Sequence, residues 1–155
     1  NKPELLHAIL DRNEKQVGQV VAKLVQSVGG SLEEKTVAVY GLSFKGGTND
    51  VRNSLSLKVI QILREEGAQV RAYDPAAMEE AKEIIPDLDC YPDAYSTIQG
   101  ADALMLLSDW NEFKELNYQL IKDGMTTPRI VDARNLLNPR DLTSLGFSYM
   151  GIGRS

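Results

Sequence analysis

Short apolar runs rich in β-branched residues alternate with amphipathic stretches along this chain, and this alternation restricts the possible folds more than any other feature. The runs with the length of strands are residues 35–41, 69–73, 88–91, 102–107, 129–132 and 147–150. The helical stretches between them are residues 54–66, 76–85, 95–99, 113–122 and 138–145. Strands that alternate with helices are joined by right-handed crossovers and form a parallel sheet with helices on both faces. The sequence therefore predicts an α/β fold, a doubly wound, Rossmann-like domain with about five or six strands.

A long amphipathic stretch, residues 3–28, precedes the first predicted strand. Its apolar residues recur at steps of three and four and form one stripe: Leu6, Ile9, Leu10, Val17, Val20, Val21, Leu24 and Val28. The stretch ends at Gly29-Gly30, because glycine readily adopts the left-handed conformation that ends helices. A helix cannot bury such a stripe alone, so it packs on the following domain, on another copy of itself or on a preceding domain. We therefore divide the chain into a connecting helix, 1–30, and a Rossmann-like domain, 31–155.

Charge and composition argue against several classes of partner. The chain has 22 acidic and 17 basic residues, a net charge of -5 at pH 7 and no cluster of lysines and arginines, which disfavours nucleic acid as a ligand. Its apolar run at residues 103–107 is far shorter than the roughly 20 residues of a membrane-spanning helix, so we expect no membrane partner. The single cysteine, Cys90, excludes an internal disulfide and suits the cytoplasm, where we expect the protein to act. No histidines and cysteines have the spacing of a metal site.

The loop after the first strand, residues 41–52, is the first candidate for a binding site, because doubly wound sheets bind ligands at the carboxyl ends of their strands. It lacks the dinucleotide motif G-x-G-x-x-G, since Ser43 stands at the second glycine. It also lacks a P-loop, because Gly47 stands where that motif places its phosphate-binding lysine. Asp74, after the second strand, mimics the ribose-binding acid of dinucleotide folds, but an Asp-Pro turn explains it equally well.

Three cations follow the predicted strand ends. Lys45 and Arg52 flank a glycine pair in the first loop and offer positive charge to a phosphate or a carboxylate. Arg134 follows the fifth strand, and in a parallel sheet it points into the same crevice as Lys45. Two converging cations in an acidic domain favour an anionic ligand. Two alternatives stay open: the loop carries ordinary surface cations, or Asp132 and Arg134 cap or pair locally.

Residues after the fourth strand have structural interpretations. We expect Trp110 and Phe113 to pack at the turn into the next helix and Asp109 to cap that helix. Cys90 has no base beside it in sequence, so we interpret it as a small buried hydrophobe rather than a nucleophile.

Residues 41–52, which read Gly-Leu-Ser-Phe-Lys-x-x-Thr-x-Asp-x-Arg, resemble a signature of the C-terminal, UDP-binding domain of the UDP-glucose/GDP-mannose dehydrogenase family. Four further segments fit that domain in order: residues 70–75, 101–104, 131–135 and 151–154. The first helix resembles the end of the long central helix of these enzymes. The resemblance covers essentially the whole chain. Ser43 and Gly46-Gly47 resemble the GDP-mannose branch, whereas residues 74–76 and 108–113 resemble the UDP-glucose branch, which we favour.

The resemblance implies a larger enzyme, with an NAD-binding domain, a central helical dimerisation domain and this C-terminal domain. Such an enzyme oxidises the C6 hydroxyl of a nucleotide sugar to a carboxylate in two NAD-dependent steps, using a cysteine and a lysine from its upstream part. The chain begins at Asn1 without a methionine, so we interpret it as a piece of that enzyme, inactive alone and without a catalytic residue. NAD is then bound mainly by the missing N-terminal domain, and the full enzyme forms a homodimer or a higher homo-oligomer.

Position by position, the resemblance implies that Phe44, Lys45 and Arg134 bind the UDP-sugar and that Arg52 crosses the cleft to the NAD phosphates. Residues 49–55 depart from the family pattern, with asparagine for an acid at position 49, asparagine for glutamate at 53 and leucine for proline at 55. A hypothesis of another class is a non-catalytic, Rossmann-like module whose first helix mediates assembly.

Overall fold

The computed structural model describes residues 12–43, 45–52 and 54–152, and within them six strands form one sheet. The strands are β1 (Thr36–Tyr40), β2 (Gln69–Tyr73), β3 (Asp89–Cys90), β4 (Ala103–Leu106), β5 (Arg129–Asp132) and β6 (Ser148–Gly151). Their order is β3-β2-β1-β4-β5-β6, and every neighbouring pair is parallel. The predicted doubly wound, Rossmann-like α/β architecture is thereby confirmed.

Helices cover both faces of the sheet. They are α1 (Arg12–Ser27), α2 (Leu55–Glu65), α3 (Met78–Ile84), α4 (Ala94–Thr97), α5 (Tyr118–Gly124) and α6 (Pro139–Leu145), with a 3-10 helix at Asn111–Lys114. The prediction of one helix over residues 113–122 is wrong, because the side chain of Asn117 accepts hydrogen bonds from the N–H groups of Gln119 and Leu120 and so begins a separate helix. The predicted helical residues 3–11 lie outside the described residues.

α1 completes one face of the sheet. α2 and α3, which follow β1 and β2, pack on that face beside β1 and β2, while α5 and α6 pack on the other. The same face of β5 and β6 would be bare without α1, which contacts α2, β5 and β6. Its buried stripe of Val17, Val20 and Leu24 belongs to the same hydrophobic cluster as Val131. Of the three expected partners, the described part of α1 thus packs on the following domain. The division at residue 30 stays a prediction, and the hydrophobic core runs across it.

The strand order reverses between β1 and β4, which lie side by side at the centre of the sheet. β1 is buried on both faces, as expected for the central strand of a parallel sheet. Its last residue, Tyr40, pairs with Leu106 of β4, so the loops that follow these two strands start next to each other. In doubly wound folds this switch point, at the carboxyl edge, is where ligands bind.

Candidate functional site

Two glycines allow the loop after β1 to lie directly against the loop after β4. Gly41 has a φ of 103°, and a Cβ built on it would lie 2.6 Å from the backbone nitrogen of Ser108. A Cβ on Gly46 would lie 2.7 Å from the carbonyl oxygen of Asp109. Any side chain at either position would push the two loops apart. Gly41 and Gly46 therefore allow close contact between the loops after β1 and β4. Neither the dinucleotide motif nor the P-loop motif would have revealed this role.

Asp74, at the end of β2, is a fully buried carboxylate that holds the start of this loop. Its two oxygens accept hydrogen bonds of 2.7 to 3.2 Å from four backbone N–H groups and one indole N–H, those of Leu42, Ser43, Ala76, Ala77 and Trp110. A carboxylate so fully engaged has no face left for a ribose hydroxyl. Of its two interpretations, the geometry favours the structural turn.

The switch point itself is closed by side chains of the protein. The hydroxyl of Ser108 donates to the carbonyl oxygen of Ser43 at 2.6 Å, and both serines are buried. The Ser43 hydroxyl donates in turn to the carbonyl oxygen of Lys45 at 2.7 Å. The indole N–H of Trp110, expected to be only a packing residue, donates to the Ser43 hydroxyl at 3.1 Å. This network links the loops after β1 and β4 at the switch point.

Asp109 lies at the open end of the same edge and connects three loops. Its Oδ1 accepts a hydrogen bond from the backbone N–H of Gly46 at 2.6 Å, and its Oδ2 lies 3.3 Å from Nη2 of Arg134. The Gly46 N–H lowers the pKa of Asp109, and the charges of Arg134 and Lys45 lower it further. The prediction that Asp109 caps the next helix is wrong. Trp110 is the residue at that position, and the carboxylate instead turns toward the other two loops.

Lys45 and Arg134 come together around this carboxylate. Lys45 is exposed, and its charge is close enough to influence Asp109, with which Arg134 forms an ion pair. The alternative of a local contact holds for the backbone, because Asp132 accepts a hydrogen bond from the backbone N–H of Arg134 at 3.1 Å. The guanidinium of Arg134 contacts Asp109 instead. The structure thus places the two cations at one edge of the sheet, after β1 and β5, the two strands that flank β4.

Arg52 occupies the far, exposed end of the loop. Its side chain is 86% exposed and makes two hydrogen bonds to Asp50, of 3.0 and 2.9 Å. These bonds lower the pKa of Asp50 to about 2 and raise that of Arg52. Phe44, the remaining residue expected at the site, lies outside the described residues.

α2 starts at a firm cap although leucine replaces the expected proline. The hydroxyl of Ser54 accepts a hydrogen bond from the N–H of Ser56 at 3.1 Å and donates to the carbonyl oxygen of Leu42 at 2.8 Å. Ser54 therefore both caps the helix and fastens it to the loop after β1. The departure from the family pattern at position 55 leaves the start of α2 in place.

Other features of the described residues are compatible with a small-molecule site at this edge. Burial raises the pKa of the half-buried Cys90 thiol, which keeps it in its less reactive, protonated form. The described residues contain no group of three or more histidines, cysteines or acids able to hold a metal ion. Among the described helices, none has the length and apolar character needed to cross a membrane.

Comparison with known proteins agrees with this geometry. Residues 38–139 match the model of the UDP-glucose/GDP-mannose dehydrogenase family, UDP binding domain. The chain is 39% identical over 147 residues to the UDP-glucose 6-dehydrogenase of Rhizobium meliloti (strain 1021), covering 95% of this chain and 33% of that protein. It is 40% identical over 152 residues to the UDP-glucose 6-dehydrogenase TuaD of Bacillus subtilis (strain 168), covering 97% of this chain and 33% of that protein. The chain thus spans about a third of the length of these curated relatives.

Solved structures give the same result. A UDP-glucose dehydrogenase from Pyrobaculum islandicum superimposes with a TM-score of 0.78 at 27% identity, over 92% of this chain and 31% of that one. A UDP-D-ManNAc dehydrogenase from Pyrococcus horikoshii superimposes with a TM-score of 0.74 at 31% identity, again over 92% of this chain and 31% of the other. Sequence, fold and the family match over residues 38–139 all agree: the chain belongs to the UDP-glucose/GDP-mannose dehydrogenase family and carries its UDP-binding domain.

Proposed function

We propose that this chain is the substrate-binding domain of an NAD-dependent UDP-sugar 6-dehydrogenase, and that it binds the diphosphate of the nucleotide sugar between Lys45 and Arg134. The observation that carries the proposal is the ion pair of Arg134 with Asp109 at the carboxyl edge of a parallel sheet, where Lys45 is exposed in the facing loop and its charge also lowers the pKa of Asp109. An anion there meets one ammonium and one forked guanidinium, the two groups that proteins use most often for phosphate.

The whole enzyme oxidises UDP-glucose to UDP-glucuronate in two steps, with NAD accepting a hydride in each. In support, the two curated relatives described above are both UDP-glucose 6-dehydrogenases. A GDP-mannose or UDP-N-acetylmannosamine dehydrogenase is the alternative, since the base and the sugar are recognised partly outside this domain. The catalytic cysteine and lysine belong to that other part, so we expect this chain alone to oxidise nothing.

We expect this domain to contribute little to the binding of NAD. The Ser43–Ser108 hydrogen bond at the switch point and the fully engaged carboxylate of Asp74 support binding of NAD mainly outside this domain. Arg52 is the residue we assign to the NAD phosphates, because its guanidinium is highly exposed on the same loop as Lys45. Phe44, beside Lys45 in sequence, is assigned to the nucleotide sugar. We place the whole enzyme in the cytoplasm as a homodimer or higher homo-oligomer, with neither a nucleic-acid nor a membrane partner.

Titration calorimetry with UDP and UDP-glucose tests the proposal. We expect weak, saturable binding, and we expect Lys45→Ala and Arg134→Ala each to weaken it about tenfold, the loss typical of one charge-assisted contact. Arg64→Ala is the matched control. Arg64 pairs with Asp87 near the amino edge of the sheet, so its removal should leave the affinity unchanged.

Equal affinities for the wild type and all three variants would contradict the assignment of the site. No heat with a folded sample, together with a defined oligomer by light scattering, would favour the assembly module instead. The burial of the α1 stripe within the domain argues against that module, because it leaves the helix less apolar surface for a second copy.

A further inference from the structure

The two oxygens of Asp109 make very different contacts. Oδ1 accepts a short, 2.6 Å hydrogen bond from the backbone N–H of Gly46, within the protein's own loop structure. Oδ2 makes one long contact of 3.3 Å to Arg134, between side chains that are 43% and 32% exposed. A half-exposed ion pair with a single long contact contributes little stability. Asp109 is therefore held firmly at one oxygen and loosely at the other.

We propose that Asp109 is a positioning residue whose Oδ2 stands in for the ligand: it holds Arg134 beside Lys45 until a phosphate oxygen of the nucleotide diphosphate takes its place. Oδ1 keeps its bond to Gly46 throughout, so the carboxylate and the loop stay where they are while the guanidinium changes partner. This inference rests on the proposed function, since it concerns the ligand of the same site.

The charges of the site and of the ligand favour replacement of the Asp109 carboxylate by a phosphate as the partner of Arg134. Lys45 and Arg134 contribute two positive charges and Asp109 one negative charge, so the site without ligand keeps one positive charge to attract an anion. A diphosphate carries more charge than a carboxylate and can bind a guanidinium through two oxygens, so it displaces Oδ2. Asp109 stays charged close to the bound phosphates and repels them, but the site as a whole stays positive and attracts a ligand more strongly the more negative charge that ligand carries. The site thus selects nucleoside diphosphates over monophosphates and free nucleosides.

Two substitutions of Asp109 should act in opposite directions. Asp109→Asn keeps an oxygen for the Gly46 N–H but frees Arg134 and removes the repulsive charge, so UDP should bind roughly three- to tenfold more tightly. The same change should increase the preference for UDP over UMP, because the removed charge repels the more highly charged ligand more strongly. Asp109→Ala also removes the bond to Gly46 and loosens the loop, so UDP should bind more weakly than to the wild type. A purely structural residue would weaken binding in both variants. Asp87→Asn, in the ion pair with Arg64, is the matched control and should change nothing.

Carboxyl ¹³C resonances observed during a pH titration, with and without inorganic pyrophosphate, provide an independent readout. Pyrophosphate should raise the pKa of Asp109, because it removes Arg134 and adds negative charge nearby. Arg134→Ala should raise the pKa without pyrophosphate and leave a smaller further change on its addition.

The outcomes separate the two proposals. If UDP binds but pyrophosphate leaves the pKa of Asp109 unchanged, or both variants weaken binding, the exchange is wrong and the proposed function stands. If pyrophosphate raises that pKa while UDP does not bind, the exchange stands and the proposed function fails. If neither ligand has an effect, both are wrong.

Discussion

Asp74 and Asp109 each follow a strand, and each holds the loop after β1, yet they do so in opposite surroundings. Asp74 is fully buried and accepts hydrogen bonds from Leu42 and Ser43 at the start of the loop. Asp109 is partly exposed and accepts one from Gly46 further along. Asp74 accepts hydrogen bonds only from N–H groups that the fold holds in place. Asp109 accepts one from the backbone N–H of Gly46 and forms an ion pair with the side chain of Arg134.

The difference shows how one sheet edge can be both rigid and able to bind. Burial makes an unsatisfied polar group expensive, so every hydrogen bond of Asp74 contributes to folding. Exposure makes the Asp109 ion pair weak, so it can be exchanged at little cost. The buried Asp74 therefore fixes the loop at this edge of the sheet, whereas the contact of the exposed Asp109 with Arg134 can change.

Removing the buried carboxylate should have the largest effect. Asp74→Ala leaves four backbone N–H groups without their acceptor and the Trp110 indole N–H with the Ser43 hydroxyl alone, so the free energy of unfolding should fall by roughly 3–5 kcal/mol. Asp109→Ala should cost less than about 1 kcal/mol, because water can satisfy its former partners. Urea denaturation followed by circular dichroism measures both values. Equal losses would show that the two carboxylates do not differ as the comparison requires.

Substitution of Gly41 or Gly46 by alanine tests the same contrast between the buried and the exposed part of this edge, now in the backbone. Gly41→Ala combines a positive φ with a clash against Ser108, so it should destabilise the protein by roughly 3 kcal/mol. Gly46→Ala clashes with the exposed loop at Asp109, which can move, so about 1 kcal/mol is expected. Gly47→Ala is the control for conformation alone, since its φ is 84° and nothing lies within 4 Å of the added Cβ.

The decisive result is the order in which the three glycine variants lose free energy of unfolding, as measured by chemical denaturation. A loss at Gly41 no larger than that at Gly47 would mean that β1 and β4 can separate freely at their carboxyl ends.

We expect the smallest effect on stability at the exposed ion pair between Arg52 and Asp50. The bonds from Arg52 lower the pKa of Asp50 to about 2, so any stability from this pair is present above the unfolded-state pKa of about 4 and is lost as the pH falls toward 2. Arg52→Ala should return the Asp50 pKa toward its ordinary value and leave the urea midpoint at pH 7 unchanged. Carboxyl ¹³C titration measures the pKa. A clear drop in that midpoint would show that this pair supports the fold.

The fold was predictable because its central strands are buried on both faces and therefore read as short apolar runs. β2 and β5 begin and end at the predicted residues, and β1 and β4 each lie one residue inside the predicted limits. The placement of Lys45 and Arg134 at one edge followed from parallel topology, which brings the carboxyl ends of all strands to the same edge of the sheet. The interpretation of both cations as ligand-binding residues stays a prediction.

The roles of the aspartates were not predictable in this way. Asp109 was expected to act on the helix beside it, but its partner Gly46 lies 63 positions away in sequence. Asp74 was ambiguous because its partner Leu42 is 32 positions away. Local patterns carry no information about which distant N–H a carboxylate will meet, because that depends on the packing of the finished sheet. Close approach at the two glycines escaped prediction for the same reason.

The pairing of β1 with β4 also has a consequence for the order of folding. Residues Ser43 and Ser108 meet across 65 positions of sequence, and contacts of such long range form late because closing a long chain segment costs entropy. β1, β2 and β3 can assemble beforehand from a continuous stretch of chain, so the contact between the loops after β1 and β4 should form after these three strands have paired during refolding. Trp110, the single tryptophan of the chain, lies within that late contact, so its fluorescence naturally reports when the edge closes.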